Sequence, residues 1–149
     1  MFHYSTKKLR NPILRVVRIL HVNFLTYLVI CLFNFINNIV QAAVDFAPGV
    51  YIFYSILNMF IFLPFALFVF YSGFYGMCMR PPRFHLLAYR IAQGLQVAIW
   101  LTLSIISLGP FNGWAQIGPL GGSGGEGFAI FLCVVESILY TVTMITGAI

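Results

Sequence analysis

The eight Lys and Arg residues of this 149-residue chain fall in two places only: Lys7, Lys8, Arg10, Arg15 and Arg18, then Arg80, Arg83 and Arg90. Between and after these clusters run long stretches of Phe, Ile, Leu and Val, and the whole chain holds just three acids, Asp45, Glu126 and Glu136. Long uncharged runs framed by basic clusters constrain the fold more tightly than any single motif. With 7% charged residues, against about a quarter in soluble domains, the chain cannot cover this much apolar surface in water. It is read as an integral membrane protein of one domain. The net charge of +5 would also suit nucleic acid, but the basic residues flank apolar spans, where membrane orientation accounts for them; no nucleic-acid partner is expected.

A bilayer core of about 30 Å needs about 20 helical residues at 1.5 Å each. Four runs reach that length, at about 19–40, 50–70, 86–108 and 128–149, behind a basic segment at 1–18. They lack the short alternating pattern of barrel strands, so the expected fold is all-α, an integral membrane four-helix bundle. Val40-Gln41-Ala42 resembles a leader cleavage site, but the apolar run before it is long for a leader, and an uncleaved first span is the better reading. Asp45-Phe46-Ala47-Pro48-Gly49 predicts a tight reversal. Pro64 is tolerable inside the second span and is expected to kink it. Pro81-Pro82 suits the start of the third helix, and Gly109–Trp114 is expected to end it. The glycine-rich Gly121–Gly127 lacks the strand and the Lys-Ser/Thr pair of a phosphate loop, so it reads as a flexible connection. The first and third connections carry acids and no Lys or Arg. The positive-inside rule then predicts that both termini and the second connection are cytoplasmic.

Polar residues inside the spans are the candidates for function. Asn23, Asn34, Asn37, Asn38 and Gln41 share one helical face, expected to hydrogen-bond across a helix interface. Glu136 is the one acid within a span. An intramembrane carboxyl is a functional-site hypothesis by default, and two readings stay open: a proton or cation site, or a neutral acid donating a structural hydrogen bond between helices, with Tyr140 and Thr143 on its face. Arg90, Gln93, Gln96 and Trp100 share a face near the start of the third span, where Arg90 can snorkel to headgroups. His3, His21 and His85 show no ligand spacing with one another or with Cys31, Cys78 and Cys133, so no metal and no cofactor are expected. No paired acids or nucleophile–base arrangement emerges, and the chain is expected not to be an enzyme. Cys78, beside a span, is a candidate for reversible acylation.

The remaining candidates lie at the membrane surface. Lys7, Lys8, Arg10, Arg80, Arg83 and Arg90 are expected to meet anionic lipids, phosphoinositides among them, at about 1 kcal/mol per basic residue. Beside them stands an aromatic stretch with Phe70, Tyr71, Phe74 and Tyr75. Over about Arg18–Ile117 this order of elements resembles the membrane core of the secretory carrier membrane protein (SCAMP) family. The likeness rests on Arg18 at the first span, Val44-Asp45-Phe46 in the outer loop, Pro64 in the second span, Tyr75 in the aromatic cytoplasmic loop, Phe84, Gln96, and the Gly109–Trp114 loop. Where the family reads Arg-Pro in that aromatic loop, this chain has Ser72-Gly73, and the family's Asn-Pro-Phe repeats and carboxy-terminal tail are not in the sequence. The resemblance implies a non-enzymatic, multi-pass protein of vesicle trafficking and recycling, at post-Golgi, endosomal or plasma membranes, with other membrane proteins or itself as partners. A second reading, from composition, is an accessory subunit of a large membrane complex in an organellar inner membrane.

Overall fold

The computed structural model describes residues 11–78, 83–122 and 127–148. Four long helices dominate: α1 (Asn11–Ala43), α2 (Val50–Cys78), α3 (Arg83–Ile105) and α5 (Gly127–Ala148). A 3₁₀ turn (Trp114–Gln116) and a short helix, α4 (Ile117–Gly122), fill the connection before the last of them. All four long helices are long and apolar enough to cross a membrane. They form a closed antiparallel ring: α1 packs on α2 and α5, and α3 packs on the same two. One end of the bundle therefore gathers the start of α1, the end of α2, the start of α3 and the end of α5. The opposite end carries the 44–49 turn and the 106–122 segment.

Aromatic rings fill the centre of the ring of helices. Trp100 of α3 lies 4.9 Å from the Tyr27 ring of α1 and 5.2 Å from Tyr140 of α5, stacked on the latter. Phe62 of α2 meets Trp100 from a third side. Such rings contribute large apolar area and favour these offset and edge-on arrangements. The outward faces are apolar: Phe60 is 75% exposed and Ile61 and Ile91 64% each, as helices bathed in lipid require.

The expected spans lie largely within these helices, with three differences. First, α2 does not end near residue 70; it continues through Phe70, Tyr71, Phe74 and Tyr75, so the expected aromatic loop is the last two turns of a helix. The reason is packing. A Cβ at Gly73 would stand 2.9 Å from Leu20 of α1 and from the Tyr89 ring of α3, and one at Gly76 would stand 3.1 Å from the Leu86 backbone nitrogen. These glycines let three helices close on one another, as small residues do in membrane bundles. Second, α3 stops at Ile105 rather than near 108. Leu108 and Phe111 exchange two backbone hydrogen bonds around Gly109-Pro110, and Gly109 has φ +56°, a conformation that glycine adopts without a steric penalty. Third, the short helix α4 enters the glycine-rich stretch and includes Gly121 and Gly122, with Leu120 fully buried beside Ala129 and Cys133; residues 123–126 lie outside the described residues. Pro64 stands inside α2 without ending it. The 44–49 reversal forms, with the Phe46 and Ala47 amides donating to the Gln41 carbonyl and Asp45 at φ 55°.

Candidate functional site

The amide face of α1 and the acid of α5 meet. Glu136 is completely buried, as are Asn34, Asn37, Asn38 and Gln41. Its Oε1 accepts a hydrogen bond from Asn34 Nδ2 at 2.6 Å and another from the Tyr140 hydroxyl one turn on. Its Oε2 accepts from Asn37 Nδ2 and, at 3.1 Å, from Asn112 Nδ2. Two carboxyl oxygens offer about four acceptor positions, and four donors occupy them. Through its two carboxyl oxygens Glu136 thus joins α5 to α1 and to the turn that follows α3.

The surrounding amides extend the network. Asn34 Nδ2 also donates to the Pro110 carbonyl at 2.6 Å, and Asn38 Nδ2 to the same carbonyl at 2.7 Å and to Ser55 Oγ of α2 at 2.8 Å. Gln41 Nε2 donates to Asn37 Oδ1 at 3.2 Å and to Cys133 Sγ at 3.1 Å. Ser137 Oγ donates to the Asn112 carbonyl at 3.2 Å. The network therefore ties together α1, α2, α5 and the turn between α3 and α4. Non-helical backbone is tolerable at membrane depth only when buried in protein and satisfied there, and the Pro110 carbonyl and the Asn112 side chain are satisfied by these partners.

Asn112 and Pro110 have no counterpart in the sequence-based site. The Gly109–Trp114 segment reads as a helix terminator, and only the fold shows it returning into the bundle. A trace of that role remains at Gly113, where a Cβ would stand 2.5 Å from the Leu103 carbonyl oxygen; nothing larger than glycine lets the segment lie so close to the end of α3.

The surface candidates lie at the other end. Arg90 is exposed on α3, and Arg15 and Arg18 are exposed on α1. Lys7, Lys8, Arg10 and Arg80 lie outside the described residues, as do the side chains of Arg83 and Cys78. The Tyr71 and Tyr75 rings lie 6.2 Å apart, and Tyr75 meets His85 of α3 at 5.9 Å. Ser72 is buried and Tyr75 is exposed, so the aromatic stretch is divided between helix packing and the outer surface. Among the described residues, no group of three or more His, Cys, Asp or Glu could hold a metal ion.

Comparison with curated proteins and with solved structures gives no match. The sequence profile of the SCAMP family matches residues 1–149, the full length given. Four apolar helices in a closed bundle, with Arg15, Arg18, Arg90 and Tyr75 exposed at one end, accord with that match. The chain belongs to the SCAMP family, non-enzymatic four-span membrane proteins of a family linked to membrane trafficking.

Proposed function

We propose that this chain is a tetraspanning component of post-Golgi and recycling membranes, with both termini and the α2–α3 connection in the cytoplasm. The observation that carries the reading is the family match over residues 1–149 together with the exposed Arg15, Arg18 and Arg90 at one end of the bundle; in sequence the other Lys and Arg flank the same helix ends. The positive-inside rule makes that end cytoplasmic. There the basic residues lie at the anionic leaflet, where each contributes about 1 kcal/mol of attraction, and the exposed Tyr75 and Phe84 stand where aromatic rings favour the interface. The protein's role is then to sit in vesicle membranes and to present this end to anionic lipid and to neighbouring membrane proteins. The Glu136 network serves that role as scaffold: with four donors on its carboxyl, it fixes α1, α5 and the in-folded turn as one body.

Live-cell imaging of the tagged full-length chain, paired with isolation in mild detergent, tests this reading. Residence in vesicles that exchange with the plasma membrane is the expected result. Confinement to an organellar inner membrane within a stoichiometric assembly overturns it in favour of an accessory subunit.

A further inference from the structure

A cavity of about 220 Å³ lies within the bundle at its basic end, between the starts of α1 and α3 and the end of α5. Its polar lining comes from Arg15, Asn23, Tyr89, Gln93 and Thr146, and its apolar wall from Val16, Ile19 and Leu20. The apolar wall lies between two polar levels, because Val16, Ile19 and Leu20 fall between Arg15 and Asn23 along α1. Arg15 is exposed and Asn23 is 3% exposed; eight residues of helix separate them, about 12 Å at 1.5 Å per residue. The cavity thus runs from a charged mouth down to a layer of amides and a hydroxyl. Gln93 is held rigidly there, because its Nε2 donates to the Gly147 carbonyl at 2.6 Å.

Among the described residues Arg15 has no ion pair, and Arg18, one turn along α1, and Arg90 on α3 are exposed cations. Of the three acids, Asp45 and Glu136 belong to the opposite half of the bundle, and Glu126 lies in the connection leading to it. A cation at the rim, an aliphatic wall below it and hydrogen-bonding groups beyond that are the three surfaces that a phospholipid presents in complement: phosphate, glycerol carbons and esters.

We propose that this cavity is a binding site for a single anionic phospholipid. Its phosphate lies on the Arg15 guanidinium, its glycerol carbons lie along Val16 and Ile19, and its ester region lies against Asn23, Gln93 and Thr146. The site is separate from the surface attraction described above, since it requires a shaped cavity and not merely positive charge.

The full-length chain in a neutral detergent, titrated with dioctanoyl phosphatidylglycerol, dioctanoyl phosphatidylcholine or inorganic phosphate, tests the proposal. Saturable binding of phosphatidylglycerol at least tenfold tighter than phosphatidylcholine is expected. Arg15→Gln, at an exposed position, and Ile19→Trp, which fills the cavity, each weaken it at least tenfold; Arg90→Gln, outside the lining, weakens it no more than about fivefold, the share of one surface cation. Unchanged helicity and melting of the variants show that they fold. Equal losses from Arg15→Gln and Arg90→Gln, or no loss from Ile19→Trp, overturn the site in favour of diffuse surface charge. Displacement of the lipid by millimolar inorganic phosphate overturns the lipid assignment in favour of a bare anion site.

Discussion

Glu136 shows how far one residue's role depends on its partners. An acid in the hydrocarbon invites a transport reading, yet every acceptor position on this carboxyl is taken by a donor the fold itself supplies. Replacing it tests the scaffold role directly. In Glu136→Gln one oxygen becomes an amide nitrogen that faces donors, so at least one of Asn34, Asn37 and Asn112 loses its acceptor on this side chain, at a cost of about 1–3 kcal/mol. Glu136→Leu removes all four acceptor positions and costs more than Glu136→Gln. Chemical unfolding in mixed micelles measures both. Trp100 fluorescence reports locally, because that ring stacks on Tyr140, whose hydroxyl Glu136 holds. A red shift in Trp100 emission is expected for the Leu variant under native conditions. Equal stability of the Gln, Leu and parent chains would sink the scaffold reading.

At the scale of the element, the decisive feature is the last two turns of α2. Family likeness points to these residues as a connecting loop, and Ser72-Gly73 look like a departure at its centre. In the structure the departure has a packing meaning. Ser72 is buried, and Gly73 lies where α1, α2 and α3 converge, with Leu20 and Tyr89 at its Cα. A branched side chain there must push two helices apart. We expect Gly73→Val to lower stability by about 1–3 kcal/mol, the usual cost of overpacking. Gly94→Val makes the control, since it has open space around the added carbon and valine is no worse a helix former than glycine. Thermal unfolding of both variants in one detergent compares them; equal changes would mean that Gly73 does not act through helix approach. The same contrast explains what the sequence discloses. Span number and the amide face of α1 are legible because hydropathy and helical period are local properties. The return of Pro110 and Asn112 to Asn34, Asn38 and Glu136 is not, because it depends on contacts as far as 76 residues apart in sequence, and a Gly-Pro turn signals only where a helix stops.

For the whole molecule, orientation is the property on which the proposed function turns, and the proposed orientation rests on two separate basic clusters. One basic cluster precedes the first span and the other follows the second, and the antiparallel ring brings both to the same end. Either cluster alone biases insertion in the same sense, because positive residues are retained on the cytoplasmic side wherever they flank a span. The two should therefore act redundantly. Neutralising Lys7, Lys8 and Arg10 alone, or Arg80 and Arg83 alone, leaves the orientation of the parent chain; neutralising all five yields a mixed population. A reporter cysteine at Ala47, in a background with Cys78 replaced, makes this measurable, since Cys31 and Cys133 are buried. In intact cells, where the protein reaches the surface, a membrane-impermeant maleimide should label the parent and both single-cluster variants at position 47, and the five-site variant only in part. If position 47 of the parent is labelled only after permeabilisation, the topology is inverted. The basic end would then face away from the cytoplasmic leaflet, and the surface attraction to anionic lipid would lose its physical basis.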